Sequence, residues 1–185
     1  MEGWIIYPLV TSSCLGFDRL LGQQQVGAAI EASGLEWPQR ASRVGHFSVR
    51  TTVAHPTDPD RAVEVDLLGQ LNSEMVGGKQ ISGTGGSVDF MRGALRSKGG
   101  RGIVAFTATA GGGKLSRIVP AISGDAVVTA LRTDADYFVT EYGVAKVRGQ
   151  PLAAAAEALI AIAAPQFRDG LRDAWKERIK RITGA

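Results

Sequence analysis

The sequence predicts an α/β fold, and two observations carry that expectation. Short β-branched runs alternate along the chain with stretches of helical periodicity, the order expected when helices pack on a sheet. One of the runs, Gly102–Thr109 (GIVAFTAT), is almost wholly apolar or small, as a strand covered on both faces would be.

In chain order, Trp4–Val10 (WIIYPLV) and Phe47–Ala54 (FSVRTTVA) read as strands. A helix is expected near Gly27–Ser33, within the weakly patterned stretch from Gly22 to Pro59. Val63–Leu68 (VEVDLL) is the third strand. Phe90–Lys98 (FMRGALRSK) reads as a helix, with Ser87 or Asp89 available as its N-cap. The apolar strand Gly102–Thr109 follows, then two more, Asp125–Leu131 (DAVVTAL) and Asp136–Tyr142 (DYFVTEY). Pro151 suits the first turn of an alanine-rich helix, where no amide hydrogen is needed. Pro165 separates it from a last helix, on which Phe167, Leu171, Trp175, Ile179 and Ile182 recur every three or four residues. Arg168, Arg172, Lys176, Arg178, Lys180 and Arg181 alternate there with Asp169, Asp173 and Glu177, the pattern of a solvated helix face. No internal repeat or dividing linker interrupts the 185 residues, so a single domain is expected.

The composition narrows the function classes. Hydrophobic residues make up 44% and charged residues 21% of the chain, as in an ordinary globular protein. The net charge of +3 gathers on the last helix without an accompanying nucleic-acid motif, so nucleic acid is not an expected partner. Cys14 stands alone and cannot form a disulfide or a cysteine metal site within the chain. His46 and His55 lack a partner pattern, and no metal site is expected. The most apolar run, Pro151–Ala164, contains Glu157 and is too short to span a bilayer. The first residues, MEGWIIYP, lack the basic segment and long apolar core of a secretory signal. The expectation is a cytoplasmic protein that needs no membrane.

Glycine is the outlier. Twelve of the 24 glycines fall between Gly77 and Gly113, which points to specialised loops rather than a general bias. The densest cluster, Ser82–Phe90 (SGTGGSVDF), leads into a helix. Its glycines imply positive φ or a close approach to the backbone. A glycine turn at a helix N-terminus suits an anion or a developing oxyanion, and a purely structural turn accounts for the composition equally well. Val88 stands where a dinucleotide fingerprint needs its last glycine, and Asp89 where a nucleophile elbow needs one. The second cluster, Thr109–Arg117 (TAGGGKLSR), fails as a P-loop because Ala108 and Leu115 replace the required glycine and hydroxyl residue. It either carries Lys114 and Arg117 toward a polyanion or is a surface connection. Among the carboxylates beside strand ends and turns (Glu64, Asp66, Glu74, Asp89 and Glu141), Glu141 stands out. An apolar strand delivers it directly to a glycine turn.

The loop has a longer context. Val63–Phe106, VEVDLLGQLNSEMVGGKQISGTGGSVDFMRGALRSKGGRGIVAF, resembles the C-terminal domain of the acetyl-CoA hydrolase/transferase family, which includes acetate and 4-hydroxybutyrate CoA-transferases. GGGKLSRIVP, VVTALRTDADYFVTEYGVAKVRG and ALIAIAAPQFRDGL continue the match in order, to about Leu171. PLVTSSCLG resembles a family segment of the type VTGSALG, and residues 1–62 otherwise match poorly. Residues 63–185 are thus expected to be the domain core. The resemblance implies a CoA-transferase-type open sheet, mostly parallel and flanked by helices. It also implies an acyl-CoA site that includes Ser82, Gly83, Gly85, Gly86, Arg117, Glu141, Tyr142 and Gly143. The amides of Gly85 and Gly86 would polarise the thioester carbonyl. Coenzyme A would be a substrate, with no tightly bound cofactor, and a small carboxylate would be the second substrate.

The family's nucleophile is a glutamate in a stretch resembling GIHTEM, upstream of the segment that PLVTSSCLG resembles. It attacks the thioester to give a mixed anhydride, which then becomes an enzyme–CoA thioester. These 185 residues contain no such stretch, so no catalytic residue is identified. Glu74 does not match the nucleophile's place, and a family His-Pro pair is here Ala164-Pro165. The expectation is a domain that binds acyl-CoA and transfers CoA together with a separate N-terminal half, or within a homo-oligomer. The alternatives are a CoA-binding module without catalysis and a truncated remnant.

Overall fold

The computed structural model describes residues 48–52, 64–96 and 101–184. In chain order these residues form five short strands, β1 (Ser48–Thr52), β2 (Glu64–Asp66), β3 (Leu71–Asn72), β4 (Met75–Val76) and β5 (Lys79–Gln80), followed by helix α1 (Ser87–Arg96). Strands β6 (Arg101–Ala105), β7 (Thr109–Ala110), β8 (Leu115–Ser116), β9 (Ile118–Val119), β10 (Tyr137–Thr140) and β11 (Gly143–Lys146) come next. Helix α2 (Leu152–Ala161), a 3₁₀ turn (Pro165–Phe167) and helix α3 (Arg168–Thr183) complete them. The strand expected at 4–10 and the helix near 27–33 lie outside the described residues, as do Cys14, His46 and His55.

The largest sheet has the order β1-β6-β10-β11. β6 pairs in parallel with both β1 and β10, and β10 pairs antiparallel with β11. Val104, Phe106, Phe138 and Val139 are fully buried, which is why this stretch of sequence carries almost no polar residue. The Phe106 and Phe138 rings meet edge to face with centroids 6.4 Å apart. Gly102 is there for space: a Cβ would lie 2.8 Å from the Asp134 carbonyl oxygen. Helix α1 packs on β1 and β6, and α2 on β11. α1 buries Met91 and Ala94, while α2 buries Ala155, Ala156, Leu159 and Ile160.

A second sheet, β3-β2-β9, is stitched by Asp66. This fully buried carboxylate accepts hydrogen bonds from the Leu68 and Gln70 amides (3.0 and 2.9 Å) and from the Gln70 side chain (3.0 Å). Arg178 Nη2 donates to it from α3 at 3.1 Å, and Arg178 Nη1 donates to the Pro120 carbonyl just beyond β9. The apolar stripe of α3 turns inward as its spacing requires. Leu171 and Trp175 are buried and Phe167 and Ile179 pack against the core, whereas Ile182 is exposed.

The α/β expectation holds as a mixed α/β molecule built of small sheets. Three elements differ from the sequence reading. Asp125–Leu131 is not a strand: only Ala130 forms a bridge, to Leu71. Turns take both flanks, through Ala126 N–H to Ser123 and through Asp134 N–H to Leu131, leaving too few residues for a ladder. The strand begun in Gly102–Thr109 stops at Ala105, because the chain leaves the sheet to form the β7–β8 hairpin. Helix α1 starts at Ser87 rather than Phe90. Ser87 is therefore its first residue and not its cap, and Asp89 sits in the first turn, where a negative charge complements the helix dipole. Among the described residues no helix is long and apolar enough to cross a membrane.

Candidate functional site

The site is built where β6 and β10 end. The Phe106 amide donates to the Val139 carbonyl, extending the β6–β10 pairing past β6 itself. Beyond that point β10 turns back into β11 through Glu141 and Tyr142, while the β6 chain runs on to Ala108 and the β7–β8 hairpin. Loops at the carboxyl ends of parallel strands are where open α/β sheets place their ligands.

Three groups meet there. Glu141 Oε2 accepts the Ala108 amide at 2.8 Å. The Arg117 amide donates to the Ala108 carbonyl at 2.9 Å, and Arg117 Nε to the Thr109 carbonyl at 3.2 Å. Arg117 is only 5% exposed. Burial pushes its guanidinium below the ordinary value, and the nearby Glu141 carboxylate acts against that. The Glu141 carboxylate is therefore engaged in holding the strand end and balancing a buried cation.

Tyr142 and Gly143 complete the turn. The Tyr142 amide donates to Thr140 Oγ1 at 3.1 Å, and that buried hydroxyl donates to the Ile162 carbonyl at 2.6 Å. The half-exposed Tyr142 ring lies beneath the Arg168 guanidinium, 5.6 Å from its centroid, a cation–π contact. Gly143 has φ +142, a conformation that L side chains rarely adopt.

Ser82, Gly83, Gly85 and Gly86 form a separate exposed loop before α1. Its described hydrogen bonds are local. The Ile81 and Ser82 amides donate to the Glu74 carbonyl at 2.7 and 3.2 Å, Gln80 Nε2 to the Ser82 carbonyl, and Ser82 Oγ to the Gly83 carbonyl at 3.0 Å. Gly85 has φ +59, and nothing lies within 4 Å of the place a Cβ would occupy, so backbone conformation rather than crowding calls for glycine there. Four residues separate the end of α1 from the start of β6, and α1 packs on β6. Thus Arg117, Glu141, Tyr142 and Gly143 adjoin one another, and the glycine loop makes no described hydrogen bond to them.

Lys114 is exposed at the tip of the β7–β8 hairpin, beside Gly111, Gly112 and Gly113 with φ of +58, +65 and +89. The remaining carboxylates divide by environment. Asp66 is the buried hub described above, Glu74 is buried near Gln80 Nε2 (3.3 Å), and Asp89 is exposed. Sequence reasoning missed Asn72. This fully buried side chain caps the turn to β4 by accepting the Glu74 and Met75 amides and donating to the Met75 carbonyl. The signal available was the Asn-Ser pair before Glu74, a common turn-forming sequence.

Residues 52–175 match the family profile described as the acetyl-CoA hydrolase/transferase C-terminal domain. The chain belongs to the acetyl-CoA hydrolase/transferase family. Within that family it is 55% identical over 116 residues to a 4-hydroxybutyrate coenzyme A transferase of Clostridium kluyveri, covering 63% of this chain and 27% of the relative. It is 51% identical over 173 residues to a succinyl-CoA:cyclohexane-1-carboxylate CoA transferase of Geobacter metallireducens, covering 94% of this chain and 38% of the relative. The crystal structure of RipA from Yersinia pestis superposes with a TM-score of 0.58 at 44% identity, over 63% of this chain and 26% of that one. The chain thus spans well under half the length of these family members.

Proposed function

We propose that this chain is the acyl-CoA-binding, C-terminal part of a CoA-transferase or acyl-CoA hydrolase. In this reading it exchanges coenzyme A between an acyl-CoA and a small carboxylate, together with the remainder of such an enzyme. The observation that carries the reading is the family match over residues 52–175. Ser82, Gly83, Gly85, Gly86, Arg117, Glu141, Tyr142 and Gly143 line the acyl-CoA cleft. The amides of Gly85 and Gly86 donate to the thioester oxygen as negative charge develops on it.

The attacking carboxylate comes from the remainder of the enzyme. Its oxygen bonds to the thioester carbon, the C–S bond breaks and expels CoA as thiolate, and a mixed anhydride remains on the carboxylate. The thiolate then attacks the glutamyl carbonyl and releases the acyl group as a free carboxylate. Glu141 is an unsuitable substitute because its carboxylate already accepts the Ala108 amide beside buried Arg117. That same engagement favours the second reading, a CoA-binding module without turnover. We further infer that residues 1–62 and 63–185 form one structural domain, with the β1-β6-β10-β11 sheet part of an open, mostly parallel CoA-transferase-type sheet flanked by helices. Coenzyme A acts as substrate, no cofactor is held tightly, and the cytoplasm is the compartment.

Calorimetric titration with CoA and acetyl-CoA, with free thiol followed over time, tests this. Binding without thiol release is the expected result. Thiol release would move the nucleophile into this chain, and absence of binding to a folded sample would overturn the reading.

A further inference from the structure

The turn between β10 and β11 rests on the segment that joins α2 to α3. Thr140 Oγ1 donates to the Ile162 carbonyl at 2.6 Å. A Cβ at Gly143 would lie 3.6 Å from Ile162 Cγ2. The Arg168 guanidinium stands over the Tyr142 ring, 5.6 Å from its centroid. Arg168 is the first residue of α3, and its Nε donates back to the Ala163 carbonyl at 2.9 Å. The 3₁₀ turn Pro165–Phe167 fills the loop that this bond spans, closed by the Phe167 amide on the Ala164 carbonyl at 3.0 Å. The guanidinium is thus held by one edge and by one face beside the Glu141–Gly143 turn.

Its charge is not answered locally. Arg168 is half-buried, yet among the described residues no carboxylate forms an ion pair with it. Asp169, its neighbour in the chain, pairs instead with Arg172 Nη1 at 3.1 Å. Glu141, the neighbour of Tyr142, accepts the Ala108 amide at 2.8 Å. Nε serves Ala163, while Nη1 and Nη2 meet no acceptor among the described residues. A guanidinium fork of this kind fits the paired oxygens of a carboxylate or a phosphate. Because Arg168 is already positioned, binding such a group costs little side-chain entropy.

We propose that Arg168 is a further substrate-binding residue of this site, receiving a carboxylate or phosphate group on Nη1 and Nη2. The inference rests on the reading above that the β10–β11 turn lines the acyl-CoA cleft. In that reading the free carboxylate substrate and the phosphates of coenzyme A are the two sources of such a group.

The test follows the Arg168 Nε–H resonance of the 185-residue chain by NMR, assigned through its loss in Arg168→Lys. Sodium acetate, inorganic phosphate, CoA and CoA lacking its 3′-phosphate are titrated separately at constant ionic strength. A saturable shift of Arg168, with the Arg172 signal unmoved, is the expected result. A shift with acetate assigns the fork to the carboxylate substrate. A shift with CoA that disappears with the 3′-phosphate assigns it to the coenzyme. By calorimetry, Arg168→Gln should weaken the same ligand about tenfold, and Lys176→Ala on the exposed face of α3 should leave it unchanged. An Arg168 signal that none of these ligands moves would overturn the proposal, as would wild-type affinity in Arg168→Gln. The wild-type titration decides even where the variant fails to fold. An Arg168 shift with acetate or phosphate but no binding of CoA or acetyl-CoA sinks the functional reading alone. CoA binding that leaves Arg168 unmoved by every ligand sinks this inference alone.

Discussion

At Gly85 the backbone sits at φ +59 in open space. A side chain there meets no neighbour, yet holding an L-residue in the left-handed region costs about 1–2 kcal/mol. Gly85→Val is therefore expected to leave the fold intact and to weaken acyl-CoA binding by about tenfold, read by calorimetry. Unchanged affinity in the folded variant would make the loop a structural turn. Glu141 poses a different question, because its carboxylate both accepts the Ala108 amide and balances buried Arg117. Glu141→Gln keeps an acceptor and removes the charge, so denaturant unfolding should report a loss of about 1 kcal/mol, typical of a partly exposed pair. The sign with pH follows from Arg117. A base whose folded-state pKa is lowered holds its proton less tightly when folded. Its destabilising effect is constant below that pKa and is relieved only toward strongly alkaline pH, so the loss in Glu141→Gln should be flat across neutrality. These residue-scale roles were only half legible in the sequence. The apolar strand leading to Glu141 marked its position, but the Ala108 amide that captures its carboxylate belongs to a segment 33 residues away.

Helix α3 shows what element-scale reading can and cannot reach. Its apolar spacing identified Leu171 and Trp175 as buried, because the 3.6-residue period is written in the local sequence. Arg178, however, read as one more basic residue on a solvated face. Its side chain is 17% exposed and pairs with fully buried Asp66, a partner 112 residues away. Among the described residues, removing the guanidinium leaves the carboxylate with its three other donors. Arg178→Met is accordingly expected to lower stability by about 3 kcal/mol, seen as a reduced unfolding midpoint, whereas Lys176→Met on the exposed face should change little. Asp125–Leu131 failed as a strand for the converse reason: β-branched composition reports a fit to a pleated surface, and turns on both sides deny it the length to form one.

For the whole molecule, alternation of strand and helix was sufficient to find the α/β class, and long motifs in order were sufficient to find the family. What alternation leaves unwritten is the division into small sheets. That division depends on where Ala105 hands over to the β7–β8 hairpin and on how β2 meets β9 in parallel. The second is a contact between segments more than fifty residues apart in sequence, which local patterns do not encode.

The pairing of Asp66 with Arg178 also orders events during synthesis. Asp66 leaves the ribosome long before its cation exists, and Gln70, only four residues on, supplies backbone and side-chain donors almost at once. A nascent chain can therefore close the β2–β3 turn early and hold the carboxylate half-satisfied. Its fourth donor, the Arg178 guanidinium, is supplied only once the last helix has been translated.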